Sequence, residues 1–191
     1  MIKRHLIFNF ILTISLFMTS NDVKSQEKDS TINQKIYKNS IELSPISPIM
    51  QIYAIQYSHK ILQRGEMLFG LAYMNIQYDM GNTNAPAIIL GYRQYIWSKL
   101  HIEYQIWPTY DNFYEKNDKK YYKSFDIWNE FRIGYQFDFT IYEAPFFVSA
   151  QWPFGFALYA GNKPQSFKDY EKKRDNRFFY KAILVFIGIR F

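Results

Sequence analysis

From Ser40 onward the chain alternates apolar and polar side chains with a period of two, and the apolar half of that alternation is unusually complete. The segment 179–191 shows it best. Ile183, Val185, Ile187, Ile189 and Phe191 share one face, and Tyr180, Ala182, Leu184, Phe186, Gly188 and Arg190 share the other. Residues two apart lie on one side of a strand, so one face is continuously apolar while the opposite one ends in a charge. This period argues for strands throughout and an all-β, antiparallel fold.

The pattern recurs upstream. In 146–160, Phe146, Val148, Ala150, Trp152, Phe154, Phe156 and Leu158 oppose Phe147, Ser149, Gln151, Pro153, Gly155, Ala157 and Tyr159. In 123–139, Phe125, Ile127, Phe131, Ile133, Tyr135, Phe137 and Phe139 oppose Asp126, Glu130, Arg132, Gly134, Gln136 and Asp138, with Asn129 the one misfit on the apolar side. Leu100, Ile102, Tyr104, Ile106 and Tyr110 oppose His101, Glu103, Gln105, Thr109 and Asp111. Ile88, Leu90, Tyr92 and Ile96 oppose Gly91 and Arg93, and in the less regular 67–78 stretch Leu68, Met74, Ile76 and Tyr78 read as the apolar face.

Two architectures fit alternation. A soluble sandwich is apolar inside, whereas a transmembrane barrel is apolar outside. Strand length favours the barrel, because these runs of ~10–15 residues exceed the usual ~5–6 and match the ~9–11 that cross a bilayer at a tilt. Composition agrees: 17 Tyr, 18 Phe and 4 Trp make a fifth of the chain aromatic while 21% is charged. Tyr95, Trp97, Tyr110, Tyr114, Tyr121, Tyr122, Tyr135 and Tyr180 fall near strand ends, where interfacial girdles form.

The connectors alternate in length. Ser98-Lys99 and Thr140–Pro145 are short, whereas Asn112–Tyr122 and Gly161–Arg177 are long, polar and charged. Counting back from Phe191, Gly81–Asn84 falls with the long loops and Lys60–Glu66 with the short turns. Seven strands are clear. An up-and-down barrel with both ends on one side needs an even number, and Pro45 and Pro48 interrupt the stretch that must supply the eighth. A first strand near Lys35–Ser44 and a second near Ile49–His59 give eight, with one long bent strand as the alternative.

Residues 1–25 carry the marks of a secretory signal: Lys3, Arg4 and His5, then the apolar run Leu6–Met18, then a cleavage site after Ser25. Thirteen helical residues rise only ~20 Å, short of a ~30 Å hydrocarbon layer. Removing Lys3, Arg4, Lys24 and Asp22 leaves 20 basic and 16 acidic residues. Residues 26–34 form a short N-terminal segment, and 35–191 the barrel domain.

Signal, aromatic strands and closing Phe191 together resemble the small outer-membrane β-barrels of Gram-negative bacteria. The run Ile183-x-Val185-x-Ile187-x-Ile189-x-Phe191 is similar to the terminal signal recognised in that family by the barrel-assembly machinery, with Ile187, Ile189 and Phe191 at its end. The resemblance implies an outer-membrane location, lipid and lipopolysaccharide as neighbours, and about eight strands.

A ring of eight strands is filled by its own side chains. Arg93, His101, Glu103, Asp126, Glu130, Arg132, Gln136, Gln151 and Arg190 are expected inside, with Gln105, Asp111, Asp138 and Ser149. Charges there must be paired, which implies a plugged polar core in place of a pore. His101 and Glu103 share a face, and with Ser149 they form the one candidate catalytic set, a nucleophile, base and orienter for lipid acyl hydrolysis or transfer. Ser58 and His59 point to opposite faces and cannot cooperate. With no Cys and three His, a metal site and any bound cofactor are not expected, and neither a G-x-G-x-x-G nor a P-loop occurs. An exported chain makes nucleic acid an unsuitable partner.

The long loops are basic. Residues 115–123 hold four Lys against two acids, and 163–177 hold six basic residues against three. Lys116, Lys119, Lys120, Lys168, Lys172, Lys173 and Arg174 are positioned to meet phosphorylated lipopolysaccharide through charge-assisted contacts. Two functions follow: a non-enzymatic outer-membrane barrel that is structural or binds surfaces and small ligands, and a lipid-modifying acyl hydrolase or acyltransferase.

Overall fold

The computed structural model of the protein describes residues 37–173 and 182–191, without the side chain of Lys172. The expected signal peptide, its cleavage after Ser25, the 26–34 segment, Arg174 and Tyr180 lie outside the described residues.

Among the described residues nine strands run β1 Asn39–Leu43, β2 Ile52–Leu62, β3 Gly65–Met74, β4 Gln77–Tyr78, β5 Gly81–Trp97, β6 Leu100–Glu115, β7 Lys120–Ile141, β8 Ala144–Tyr159 and β9 Leu184–Arg190. Among the described residues one α-helix, α1, spans Gln165–Lys173. Both β3 and β4 pair with β5, so they act as one interrupted arm of a hairpin. The ring therefore has eight staves, β1-β2-β3-β5-β6-β7-β8-β9, each antiparallel to its neighbours, and β9 pairs back onto β1. The closing ladder sets Ile41 opposite Ile189, and Asn39 and Phe191 exchange backbone hydrogen bonds of 3.1 and 2.9 Å.

The proline-broken segment divides as expected. Pro45 and Pro48 cannot donate to a ladder, and a 3-10 turn at Ser47–Met50 separates β1 from β2. Gln51 follows with a left-handed backbone, φ 60°. Links then alternate by side. One end carries the two-residue links Gln63-Arg64, Ser98-Lys99 and Tyr142-Glu143, together with Asn39 and Phe191. We call this the near end. At the far end lie the 44–51, 79–80 and 116–119 connections and residues 160–173. Tyr142 and Glu143 both have positive φ (47° and 66°), the geometry of a type I′ hairpin that matches strand twist.

The side chains divide as the alternation predicts, with the apolar half outside. Ile133, Phe154 and Ile187 are 58%, 43% and 42% exposed, while Glu103, Arg132 and Gln151 are buried. Buried polar and charged side chains outnumber buried apolar ones, the reverse of a water-soluble domain.

Several expectations need correction. In β3 the apolar face is reversed: Leu68 is fully buried and Met74 packs on an interior cluster, while Phe69, Leu71 and Tyr73 face out. Small Gly70 and Ala72 on the inner face allow that packing, and the unbroken register on β5 keeps Tyr78 on the same inner face, against Phe113. Gly81–Asn84 is not a loop but the start of β5, the turn being Asp79-Met80. Asn112–Tyr122 is mostly strand, with only Lys116–Lys119 between β6 and β7. Cross-strand aromatic contacts such as Tyr114 with Tyr121 (4.9 Å) carry the ladder outward. Tyr95 is no girdle residue either; it turns inward, and its hydroxyl donates to Gln136 Oε1 at 2.9 Å.

Candidate functional site

Strand register builds the interior charge layer. In the ladders Arg93 lies directly opposite Glu103, and Glu103 directly opposite Arg132. Neighbouring staves thus set opposite charges side by side on the inner face. Arg93, wholly buried, donates through Nε to Glu103 Oε2 (2.7 Å), through Nη2 to Glu42, and through Nη1 to Glu66 (3.4 Å). Arg132 pairs with Glu130, reaches Glu103 Oε1 at 3.2 Å, and donates to Gln151 Oε1 at 3.2 Å. Gln105 donates to Gln56 Oε1 at 2.6 Å and accepts from Trp107 Nε1 at 2.8 Å. The network touches β1, β2, β3, β5, β6, β7 and β8, so it closes the bore at mid-height. Two arginines there face four glutamates, and Glu42 Oε2 has no hydrogen-bond partner.

Nearer the short turns, Arg190 pairs with Asp138 (3.1 Å), and Lys99 approaches the same carboxylate at 3.6 Å. Gln136 donates to Asp138 at 2.8 Å. His101 is fully buried; its Nδ1 lies 3.4 Å from the Lys99 carbonyl, and its Nε2 has no partner. The ring sits over Gly134, where a Cβ would come within 2.4 Å of Nε2.

Above the network the bore widens into a cavity of about 460 Å³. Its floor is Glu42, Gln56, Glu130 and Arg132, and its wall includes Ile52, Ile89, Trp107, Trp128 and Phe186. Phe167 and Tyr170 of α1 cover the far end. The helix is drawn in by both apolar and polar contacts. Phe167 packs edge-on against Phe113 and Tyr78, with centroids 5.2 and 5.5 Å apart. Lys163, just before α1, is buried and pairs with Asp111 and with Asp126 (2.9 Å), while Ser166 bonds to Glu115. Asp111 Oδ1 keeps no partner.

The structure brings Arg93, Glu103, Glu130, Arg132 and Gln151 into one network, and places Gln136 and Arg190 in the layer nearer the short turns. Asp126 sits apart at the far end, held by Lys163 and by the Gly161 amide at 2.8 Å. The candidate triad is not assembled. Glu103 is engaged by Arg93 and Arg132, Ser149 accepts from Gln151 at 3.2 Å, and neither bonds His101. Lys116, Lys119, Lys120, Lys168 and Lys173 are exposed. Lys116 Nζ donates to the carbonyls of Tyr78 and Asp79 at 3.3 and 3.2 Å.

Sequence reasoning passed over Glu42, Gln56, Glu66 and Lys163. Glu42 was legible, standing alone between Ile41 and Leu43 at an inward parity. Lys163 was not, since nothing local distinguishes it from its basic neighbours. Asn129 occupies the outer face, yet is buried beneath Tyr104, whose hydroxyl donates to its Oδ1 at 2.6 Å. Among the described residues no group of three or more His, Asp or Glu side chains is arranged to hold a metal ion.

Compared with known protein families, with characterised proteins and with solved structures, the chain matches none.

Proposed function

We propose that this chain is an outer-membrane β-barrel protein of a Gram-negative cell, inserted by the barrel-assembly machinery, that binds ligands at its outer end without transforming them. The observation that carries this reading is the apolar exterior. Every stave of the ring contributes large hydrophobic side chains to the outside, from Ile41 on β1 to Ile189 on β9. A patch of that extent in water costs roughly 25 cal/mol per Å² and drives aggregation, whereas acyl chains remove the penalty. The height agrees. From Leu100 to Tyr110 the outward side chains of β6 are apolar, and ten residue steps at ~3.3 Å and ~40° tilt rise ~25 Å, the band of an outer-membrane barrel.

In this orientation the near end faces the periplasm and the far end faces out. Lys119 and Lys120, exposed at the β6–β7 tip, and Lys168 and Lys173 on α1 then meet phosphorylated lipopolysaccharide. The mid-height ion network blocks ion flow, and the lack of any hydrogen bond joining His101 to Glu103 or Ser149 argues against acyl chemistry. An export signal over residues 1–25 agrees with this location. Membrane fractionation with gel mobility before and after boiling tests the proposal. The expected result is an outer-membrane band that runs differently unboiled; a soluble protein with heat-independent mobility refutes it.

A further inference from the structure

We infer that the cavity above the ion network is a binding site for a small organic cation, a protonated amine on an apolar or aromatic body. This deepens the reading that the barrel binds without transforming, and it rests on that reading.

Three independent features converge. The first is volume: about 460 Å³ falls within the ~300–1,000 Å³ of small-molecule sites. The second is charge. Among the described residues, Glu42, Asp111, Asp126, Glu130 and Glu171 line the cavity against Arg132 and Lys163. Arg93, one layer below, is already shared among Glu42, Glu66 and Glu103 and does not redress the balance. The third is unspent acceptor capacity. Glu42 and Asp111 are 1% and 3% exposed, and each keeps one carboxylate oxygen without a hydrogen-bond partner. A buried carboxylate oxygen in that condition is costly, and an ammonium group placed against it removes the cost.

The walls select what accompanies the charge. Ile52, Ile89, Trp107, Trp128 and Phe186 present apolar and aromatic surface, which suits a hydrocarbon or ring and adds cation–π attraction for the ammonium. A bare metal ion leaves that volume unfilled, and no metal-binding group is present among the described residues. An anion meets the carboxylates first and is repelled.

The cavity tryptophans report on binding. Trp97 and Trp152 lie outside, 76% and 58% exposed, whereas Trp107 and Trp128 line the cavity. Folded full chain carrying Trp97→Phe and Trp152→Phe is titrated in neutral detergent with para-bromophenethylamine, para-bromophenylacetate and para-bromophenethyl alcohol. Bromine quenches an adjacent indole. The amine is expected to quench saturably, at a concentration about tenfold below that of acid or alcohol. Asp111→Asn weakens the amine about tenfold and leaves the alcohol unchanged. Ala85→Phe, which fills the cavity from a buried wall position, abolishes quenching by all three.

Equal quenching by the three compounds, preference for the acid, or quenching that never saturates overturns the inference. Should Asp111→Asn lose its heat-modifiable band, Ala85→Phe carries the test. Recovered compound is weighed by mass spectrometry. An altered amine sinks the binding-without-transformation reading, whereas unaltered amine that fails to bind sinks only the ligand class.

Discussion

Replacing Arg93 by Met removes the hub of the interior network. The Glu42 and Glu103 side chains have no exposure at all, and Glu66 has 14%. Glu66 can turn toward water and adds little, so the penalty falls on two buried carboxylates, Glu42 left without a cation and Glu103 left with Arg132 alone. Breaking a buried pair from one side costs about 3–5 kcal/mol. With a urea slope of about 2 kcal/mol per molar, the unfolding midpoint drops by roughly 2 M. The opposite change behaves differently. Glu42→Gln keeps an acceptor for Arg93 and lowers the excess of negative charge, so its effect stays within about 1 kcal/mol. Adding Glu42→Gln and Glu103→Gln to Arg93→Met returns more than half of the loss, because the buried charges that Arg93 offset are then gone. Urea titration followed by tryptophan fluorescence, with boiled and unboiled gel mobility in parallel, measures all four proteins. A midpoint for Arg93→Met unchanged from wild type, or an equal loss in the background lacking both carboxylates, refutes the reasoning.

Further outcomes concern packing, the cover and chemistry. Gly134→Ala destabilises by about 1–3 kcal/mol through overpacking. The nearest atoms to its new Cβ belong to the His101 ring and to Gln151 Cγ, so adding His101→Ala restores most of the loss, and a double variant no better than the single contradicts this. Lys163→Met leaves Asp111 and Asp126 without their shared cation and frees α1; tryptic cleavage at exposed Lys168 accelerates about tenfold or more, and an unchanged rate means that the Phe167 contacts alone hold the helix. Labelled phospholipid and lipid A yield no acyl release with wild type or with His101→Ala; release that disappears in the variant reinstates the acyl-transfer alternative.

Much of this was readable in advance, because a period of two carries both secondary structure and facing. Once Phe191 fixes the parity, Arg190, Phe186 and Gly188 must lie opposite Ile187 and Ile189, and they do. The eighth strand followed from Pro45 and Pro48, which lack the amide a ladder needs. Reading failed where local pattern and tertiary packing disagree. Leu68 and Met74 look like an outward stripe, but the inner face of β3 carries small Gly70 and Ala72, and apolar side chains fill the room beside them. Length also misled around 112–122, where polarity suggested a loop while paired aromatics continued the ladder. The cover at the far end was the least legible feature. Phe167 and Lys163 stand in a basic, polar stretch, and only the three-dimensional proximity of Phe113, Asp111 and Asp126 gives them inward partners.

The reading depends most on acyl chains lying against the outer face of the ring. A variant retaining Trp152 as its one tryptophan, with Trp97, Trp107 and Trp128 changed to Phe, is reconstituted into vesicles whose phospholipids are brominated midway along the chains. Trp152, 58% exposed on the outer face of β8, should lose most of its fluorescence relative to unbrominated vesicles. Emission indifferent to the brominated lipid but quenched by aqueous iodide contradicts the account.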